Sequence, residues 1–417
     1  MSNIFIDNGA YNQALELIHK ALNIRKKILG EDHISLSSSY YKLGLIYLNK
    51  GYYEKAIKQT KIALQMREAA YGKEHPQIIN TLKLMGAIYT KKEDYHRGLD
   101  YFQQSYNLSR KVLGDEHFAT IGATKNIGVA YLELKQLDSA YVYLLKDLET
   151  IAAIFGVENE TNSRAYNNLG ILEMHRNNFE IAFDWFQKAK KLNIEIFGDN
   201  APLLVENNNN LGLLFSKQHQ WKEAILSHEK AITIAQQIWG QQHPRIADAY
   251  DGISTAYSQQ KNVAKAIEYS QKAEQALFPA GTDATDYDAA LALGHLSNIY
   301  RNRANTYFKA WTDGKEAHHA EAALATVLQA DQLLKYRRVS YKKTETQFRI
   351  NQENAEIHEL GLKIITETST KNKDQQKIQQ ALNLMESSKM QQFLNTLRTN
   401  TEQLSFIGLP DSLIELQ

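Results

Sequence analysis

Apolar residues recur along most of the chain at the three- and four-residue steps that mark one face of a helix. Between residues 33 and 72, Leu43, Ile46 and Tyr47 define such a face. Asn49-Lys50-Gly51 interrupts it, and Tyr53, Ile57, Ile62, Ala63 and Met66 resume it. The pattern predicts two helices joined by a short turn. It is then repeated. An apolar residue followed by glycine returns as Leu29-Gly30, Tyr71-Gly72, Leu113-Gly114, Phe155-Gly156, Phe197-Gly198 and Trp239-Gly240, 42 residues apart each time.

Three further registers keep the same period. Gly44, Gly86, Gly128, Gly170 and Gly212 form one, with Ser254 in the next place. Ala14, Ala56, Gly98, Ala140, Ala182, Ala224 and Ala266 form another, and Tyr11, Tyr53, Tyr95, Leu137, Phe179, Trp221 and Val263 precede it by three residues. Small residues recurring at fixed points of both helices predict close helix approach there, with the large residues of the 53 register filling the space beside it. With short connections, each helix is expected to span about 16–17 residues, or roughly 25 Å.

These residues resemble the tetratricopeptide repeat, and more closely its 42-residue variety, known from kinesin light chains and many bacterial proteins. The matching motifs are Leu43-Gly44-Leu45-Ile46-Tyr47 in the first helix (helix A), Gly51 to Ala56 at the turn into the second (helix B), and Leu29-Gly30-Glu31-Asp32-His33 between units. The array covers 1–281 in about seven units, with only a stub of the first helix A in Met1 to Gly9. The resemblance implies an all-α, right-handed solenoid whose concave face, lined by helix A side chains, holds extended or helical peptides.

After 281 the 42-residue period stops while helical patterning goes on. Residues 286–309 and 315–338 read as a longer pair broken at Thr312-Asp313-Gly314, and 344–368 and 375–398 as two more helices. Together 282–398 is expected to continue the solenoid, with 399–417 beginning a connector. The final segment resembles the connector between tetratricopeptide arrays and caspase-like CHAT protease domains. It carries the E-x-S-K helix (Glu386, Ser388, Lys389) and the turn Gly408-Leu409-Pro410-Asp411-Ser412-Leu413. The resemblance implies a CHAT domain in cis. Both ends of the sequence read as interrupted within a unit, which predicts a longer polypeptide.

Composition narrows the chemistry. The 417 residues carry 48 Lys and Arg against 47 Asp and Glu, a net charge of +1, so no overall field draws the chain to nucleic acid or anionic lipid. The basic run at Lys335, Arg337, Arg338, Lys342 and Lys343 has acidic residues interspersed nearby and no aromatic stacking platform. There is no cysteine, hence no cysteine nucleophile or thiolate metal ligand within these residues. No Walker, zinc-protease or nucleophile-elbow motif occurs. The reading is therefore a non-enzymatic binding module with no cofactor, no nucleic-acid partner and no membrane partner. The N-terminus lacks the pattern of a signal peptide, which favours the cytoplasm, although the shortened first unit leaves room for a leader upstream.

The recurrent histidines His33, His75, His117 and His243 lie one repeat apart, too far for a single ion, and are expected to cap or pack the loops. His318 and His319 are sequence neighbours expected to diverge around a helix. Polar helix A positions are more informative. Two residues before the recurrent glycine stand Lys42, Leu84, Asn126, Asn168, Asn210 and Gly252; one residue earlier stand Tyr41, Lys83, Lys125, Asn167, Asn209 and Asp251. An asparagine amide offers donors and an acceptor, and so can pair with a bound backbone whatever its side chains.

The candidate groove residues are Lys83, Lys125, Asn126, Asn167, Asn168, Asn209, Asn210 and Asp251. The family places an equivalent Asn before Leu-Gly for this purpose, a pattern met by Asn168 and Asn210, and by Asn126 with Ile127 for the leucine. Its carboxylate clamp is matched by Lys125 but not by Val129 or Glu206. The expected function is peptide or protein recognition coupled to a CHAT-family cysteine protease. The alternatives are a self-associating or autoinhibitory scaffold and a cargo adaptor resembling kinesin light chain.

Overall fold

The computed structural model describes residues 11–49, 52–92, 94–278, 281–287, 293–340 and 346–368. Among them are sixteen helices and no strand. Helix α1 (Tyr11–Leu29) is a helix B. Complete pairs follow: α2 and α3 (Ser35–Asn49, Tyr53–Tyr71), α4 and α5 (Pro76–Lys91, Tyr95–Leu113), and α6 and α7 (Phe118–Glu133, Leu137–Phe155). Then come α8 and α9 (Glu160–His175, Phe179–Phe197), α10 and α11 (Pro202–Lys217, Trp221–Trp239), and α12 and α13 (Pro244–Gln259, Val263–Gln275). Each helix packs mainly on its sequence neighbours, as a tetratricopeptide solenoid requires.

The helix ends follow from the repeat. The His75, His117 and His243 rings each accept the backbone N–H two residues on, capping α4, α6 and α12, and Asn159 does the same for α8. Tyr71 and Trp239 stack on His75 and His243, with ring centroids 4.2 and 4.0 Å apart. At the other end Gly72 takes φ +75°, a left-handed backbone that closes helix B through its N–H to the Glu68 carbonyl. The B helices from α3 to α11 run 19 residues up to this glycine, longer than the expected 16–17 residues, which the A helices from α4 to α12 match with 16, while α13 is shorter at 13.

The small registers mark close approach, as expected, but the residues facing the glycines differ from the prediction. A Cβ on Gly86 would stand 2.5 Å from the Phe102 ring, on Gly128 2.8 Å from Leu144, on Gly170 2.6 Å from Phe186 and on Gly212 2.5 Å from His228. The 53 register supplies partly buried residues at the edge of the clusters, such as Leu137, Phe179 and Tyr53. The glycine-facing register escapes sequence inspection because its chemistry varies through Thr60, Phe102, Leu144, Phe186, His228 and Ser270.

The chain divides into compact units between Ile299 and Tyr300. Helix α14 (Leu293–Gly314) keeps Thr312-Asp313-Gly314 within it, so the break expected there falls instead at Lys315, which has φ +58°. In the second unit α15 (Ala317–Ser340) packs on α16 (Thr346–Thr368). His358 Nε2 lies 2.9 Å from Asp331 Oδ1, and Lys335 pairs with the same carboxylate at 2.7 Å. The helix expected over 375–398 and the connector at 399–417 lie outside the described residues. Among the described residues no helix is long and apolar enough to cross a membrane.

Candidate functional site

The A helices carry the candidate groove residues in consecutive units: Lys83 on α4, Lys125 and Asn126 on α6, Asn167 and Asn168 on α8, Asn209 and Asn210 on α10, and Asp251 on α12. Three of them meet at one cavity of about 200 Å³. Lys125 and Val129 of α6 form one wall. Ser163, Arg164, Asn167 and Asn168 of α8 form the floor with Asn193 of α9, and Leu203, Glu206 and Asn207 of α10 close the other side. Lys83, Asn126, Asn209, Asn210 and Asp251 lie outside this lining.

Second contacts decide how much of each amide is left for a ligand. Asn167 is buried and its Oδ1 accepts from Asn210 Nδ2 at 3.0 Å. Asn168 is half-buried at the cavity. Asn209, one repeat on from Asn167, turns inward: its Nδ2 donates to the Arg245 carbonyl at 3.3 Å, and its Oδ1 lies 3.2 Å from His228 Nδ1. Asn207 donates to the Phe186 carbonyl at 3.0 Å, while its buried Oδ1 has no hydrogen-bond partner. Ser163 Oγ donates to Asn193 Oδ1 at 2.6 Å and holds that amide in place.

Charge at the cavity is mixed. Burial lowers the Lys125 ammonium below its ordinary pKa, partly offset by the Asp147 carboxylate and reinforced by Arg164. Burial, and then Lys125 itself, lowers Lys83. Arg164 pairs with Glu160 at 2.6 Å, and Glu206 with Arg245 at 3.3 Å. The arrangement therefore offers a cation, an amide free to donate and accept, an unpaired carbonyl oxygen and a carboxylate along one furrow. That set suits a polar backbone better than an apolar ligand. Sequence inspection left Arg164, Glu206 and Asn207 out of the groove, placing Glu206 only as a departure from the clamp. Helical spacing could have found the first two, since Arg164 stands one turn before Asn168 and Glu206 shares its register 42 residues on.

Two buried ionisable groups flank this unit. Asp147 on α7 is 1% exposed, neither carboxylate oxygen has a hydrogen-bond partner, and burial pushes its pKa up to about 7 against the pull of Lys125. His228 on α11 is equally buried and held down to about 4, with Asp248 opposing. In the second unit Glu316, His318 and His319 each bring a ligand atom within 4.8 Å of the others, so the two histidines converge where divergence was expected. The exposed loop before α15 lets both rings fold back toward Glu316.

Comparison with known proteins places this geometry. The tetratricopeptide repeat family matches residues 1–69, 38–97, 77–146 and 161–237, more than half of the chain. No curated protein matches it. Among solved structures, a Rap protein complexed with Competence and Sporulation Factor is 11% identical, covering 94% of this chain and 97% of its own, with a TM-score of 0.54. NprR in complex with its cognate peptide NprX is 15% identical over 84% of this chain and 94% of its own, TM-score 0.50. BtubC (BKLC) from P. vanneervenii is 16% identical over 58% and 89%, TM-score 0.42. At these identities the likeness concerns the fold.

Proposed function

The chain belongs to the tetratricopeptide repeat family, and on that premise we propose that it is a recognition module holding an extended peptide, or an extended segment of a protein, across the furrow between α6, α8 and α10. The carrying observation is the cavity where Lys125, Asn167 and Asn168 meet Arg164, Glu206 and Asn207. An amide that both donates and accepts can grip a backbone irrespective of sequence, while the flanking cations and the carboxylate set preference among side chains. The Rap and NprR structures, whose bound partners are Competence and Sporulation Factor and a cognate peptide, are compatible with this use of the fold.

Selection from a random peptide library tests the reading. Peptides enriched on the natural chain should bind Asn168→Ala about tenfold more weakly, corresponding to about 1.4 kcal/mol, with helical circular dichroism unchanged. Enrichment of none, or equal binding to the variant, would move recognition to another surface.

The connector motifs extend the proposal to an effector in cis, a cysteine protease of the CHAT type that the module regulates. Their support is the E-x-S-K sequence motif at Glu386 to Lys389 and the Gly-Leu-Pro-Asp-Ser-Leu motif at Gly408 to Leu413. A reading frame without a downstream His and Cys pair would remove this extension and leave the peptide-binding module untouched.

A further inference from the structure

One register of helix B is reserved for small side chains: Ala63, Ser105, Ala189, Ala231 and Ala273 are all fully buried where helices meet. The α7 helix breaks the series with Asp147, which stays as buried as they are. An acid placed in a slot that elsewhere holds at most a hydroxyl is costly to bury unless something pairs with it. Among the described residues nothing hydrogen-bonds to either of its oxygens.

Asp147 lines a second cavity, of about 150 Å³, between α5, α6 and α7. Its lining holds two cations and three carboxylates: Arg110, Lys146, Asp115, Glu116 and Asp147. Both cations have partners of their own. Arg110 Nε donates to Asp115 at 2.5 Å, and Lys146 Nζ to the Tyr106 hydroxyl at 3.1 Å. The three threonine hydroxyls of the lining also donate away, Thr120 to the Gly114 carbonyl, Thr124 to the Thr120 carbonyl and Thr150 to the Lys146 carbonyl. Each keeps oxygen lone pairs to offer. The cavity is thus lined mainly by acceptors, and the charged side chains of the lining sum to −1 with Asp147 ionised, while Lys125, outside the lining, acts on Asp147 from α6; Ile121 forms an apolar wall.

We propose that this cavity is a binding site for a primary alkylammonium group, whose three N–H donors meet Asp147 and the threonine oxygens. An anion would face the unpaired carboxylate, and a neutral apolar ligand would leave it without a partner. The volume holds about five atoms of water size, which fits an ammonium nitrogen on a chain of about four carbons. That chemistry is common to a free small amine and to a lysine side chain entering from another polypeptide. The lining of the site shares no residue with the α6, α8 and α10 furrow, whose Lys125 acts on Asp147, and the proposal does not depend on the peptide reading.

Calorimetric titration at pH 8 with n-butylammonium chloride, against sodium chloride of equal ionic strength, tests it. The natural chain should show saturable binding that Asp147→Ala weakens at least tenfold; alanine occupies the same register in five other units, so that variant should fold. Asp147→Asn, which keeps the shape and removes the charge, should lose binding similarly. N-acetyl-lysine methylamide separates the sources: binding comparable to butylammonium assigns the site to a lysine side chain, and binding of butylammonium alone assigns it to a free amine. No saturable binding by the natural chain to either probe, or unchanged affinity in both variants, overturns the proposal.

Discussion

The units α8/α9 and α10/α11 carry the same Asn-Asn-Leu-Gly sequence, at Asn167 to Gly170 and Asn209 to Gly212, and use it differently. In the first, Phe186 packs against Gly170 and offers the neighbouring amide nothing polar, so Asn167 and Asn168 stay at the cavity. In the second, His228 stands in the phenylalanine's place and draws the Asn209 amide into the core. The residue at the glycine-facing register of helix B thus contributes, together with the Arg245 carbonyl, to turning the Asn209 amide inward. A hydrocarbon at the glycine-facing register leaves polar helix A residues available; an imidazole there consumes one.

The largest expected effect lies on the other side of the site, in α6/α7. Asp147 has a folded pKa of about 7 against an unfolded 3.8. The folded state therefore holds a proton that the unfolded state has lost. The penalty is absent below pH 3.8, grows between 3.8 and 7, and is complete above 7, at about 4 kcal/mol. Asp147→Ala should raise the melting temperature strongly at pH 8 and little at pH 4.5, measured by circular dichroism. An equal gain at both would show that the carboxylate is paired in solution.

Next comes His228, whose sign is opposite. Its folded pKa of about 4 lies below the unfolded 6.5, so its contribution is intact above pH 6.5 and is lost as pH falls toward 4, by about 3 kcal/mol. His228→Phe, copying the α8/α9 unit, should flatten this acid limb in urea titrations. Persistence of the limb would assign it to another group, and His243, also held near 4 chiefly by burial, would be the first to examine.

The smallest effect concerns the bond joining the two units. Asn210→Ala removes the donor to Asn167 and should cost about 1 kcal/mol, with its larger consequence in binding, because the Asn167 oxygen is released to the cavity. Tighter binding of a selected peptide would agree with this, while weaker binding would mean that Asn210 holds Asn167 in the receptive orientation.

Much of the array is legible in the sequence because its registers are set by volume: small residues at Gly86 and Ala140, and the left-handed turn at Gly72. The glycine-facing register is not, since Thr60, Phe102 and His228 share a position but no chemistry. The candidate site was legible to the level of a helix face. Asn168 falls on the cavity, but whether Asn167 or Asn209 is available depends on groups 43 and 19 residues away, which periodicity does not rank. Asp147 could have been seen as the one acid in its small-residue register, had that register been followed along helix B.

The claim that the two Asn-Asn-Leu-Gly units differ in use is tested most directly by side-chain amide NMR of the ¹⁵N-labelled chain, titrated with a library-selected peptide and assigned through single Asn→Ala variants. The Asn168 amide should shift progressively to saturation while the Asn209 amide stays in place. A shift of Asn209 with Asn168 unmoved would contradict the account.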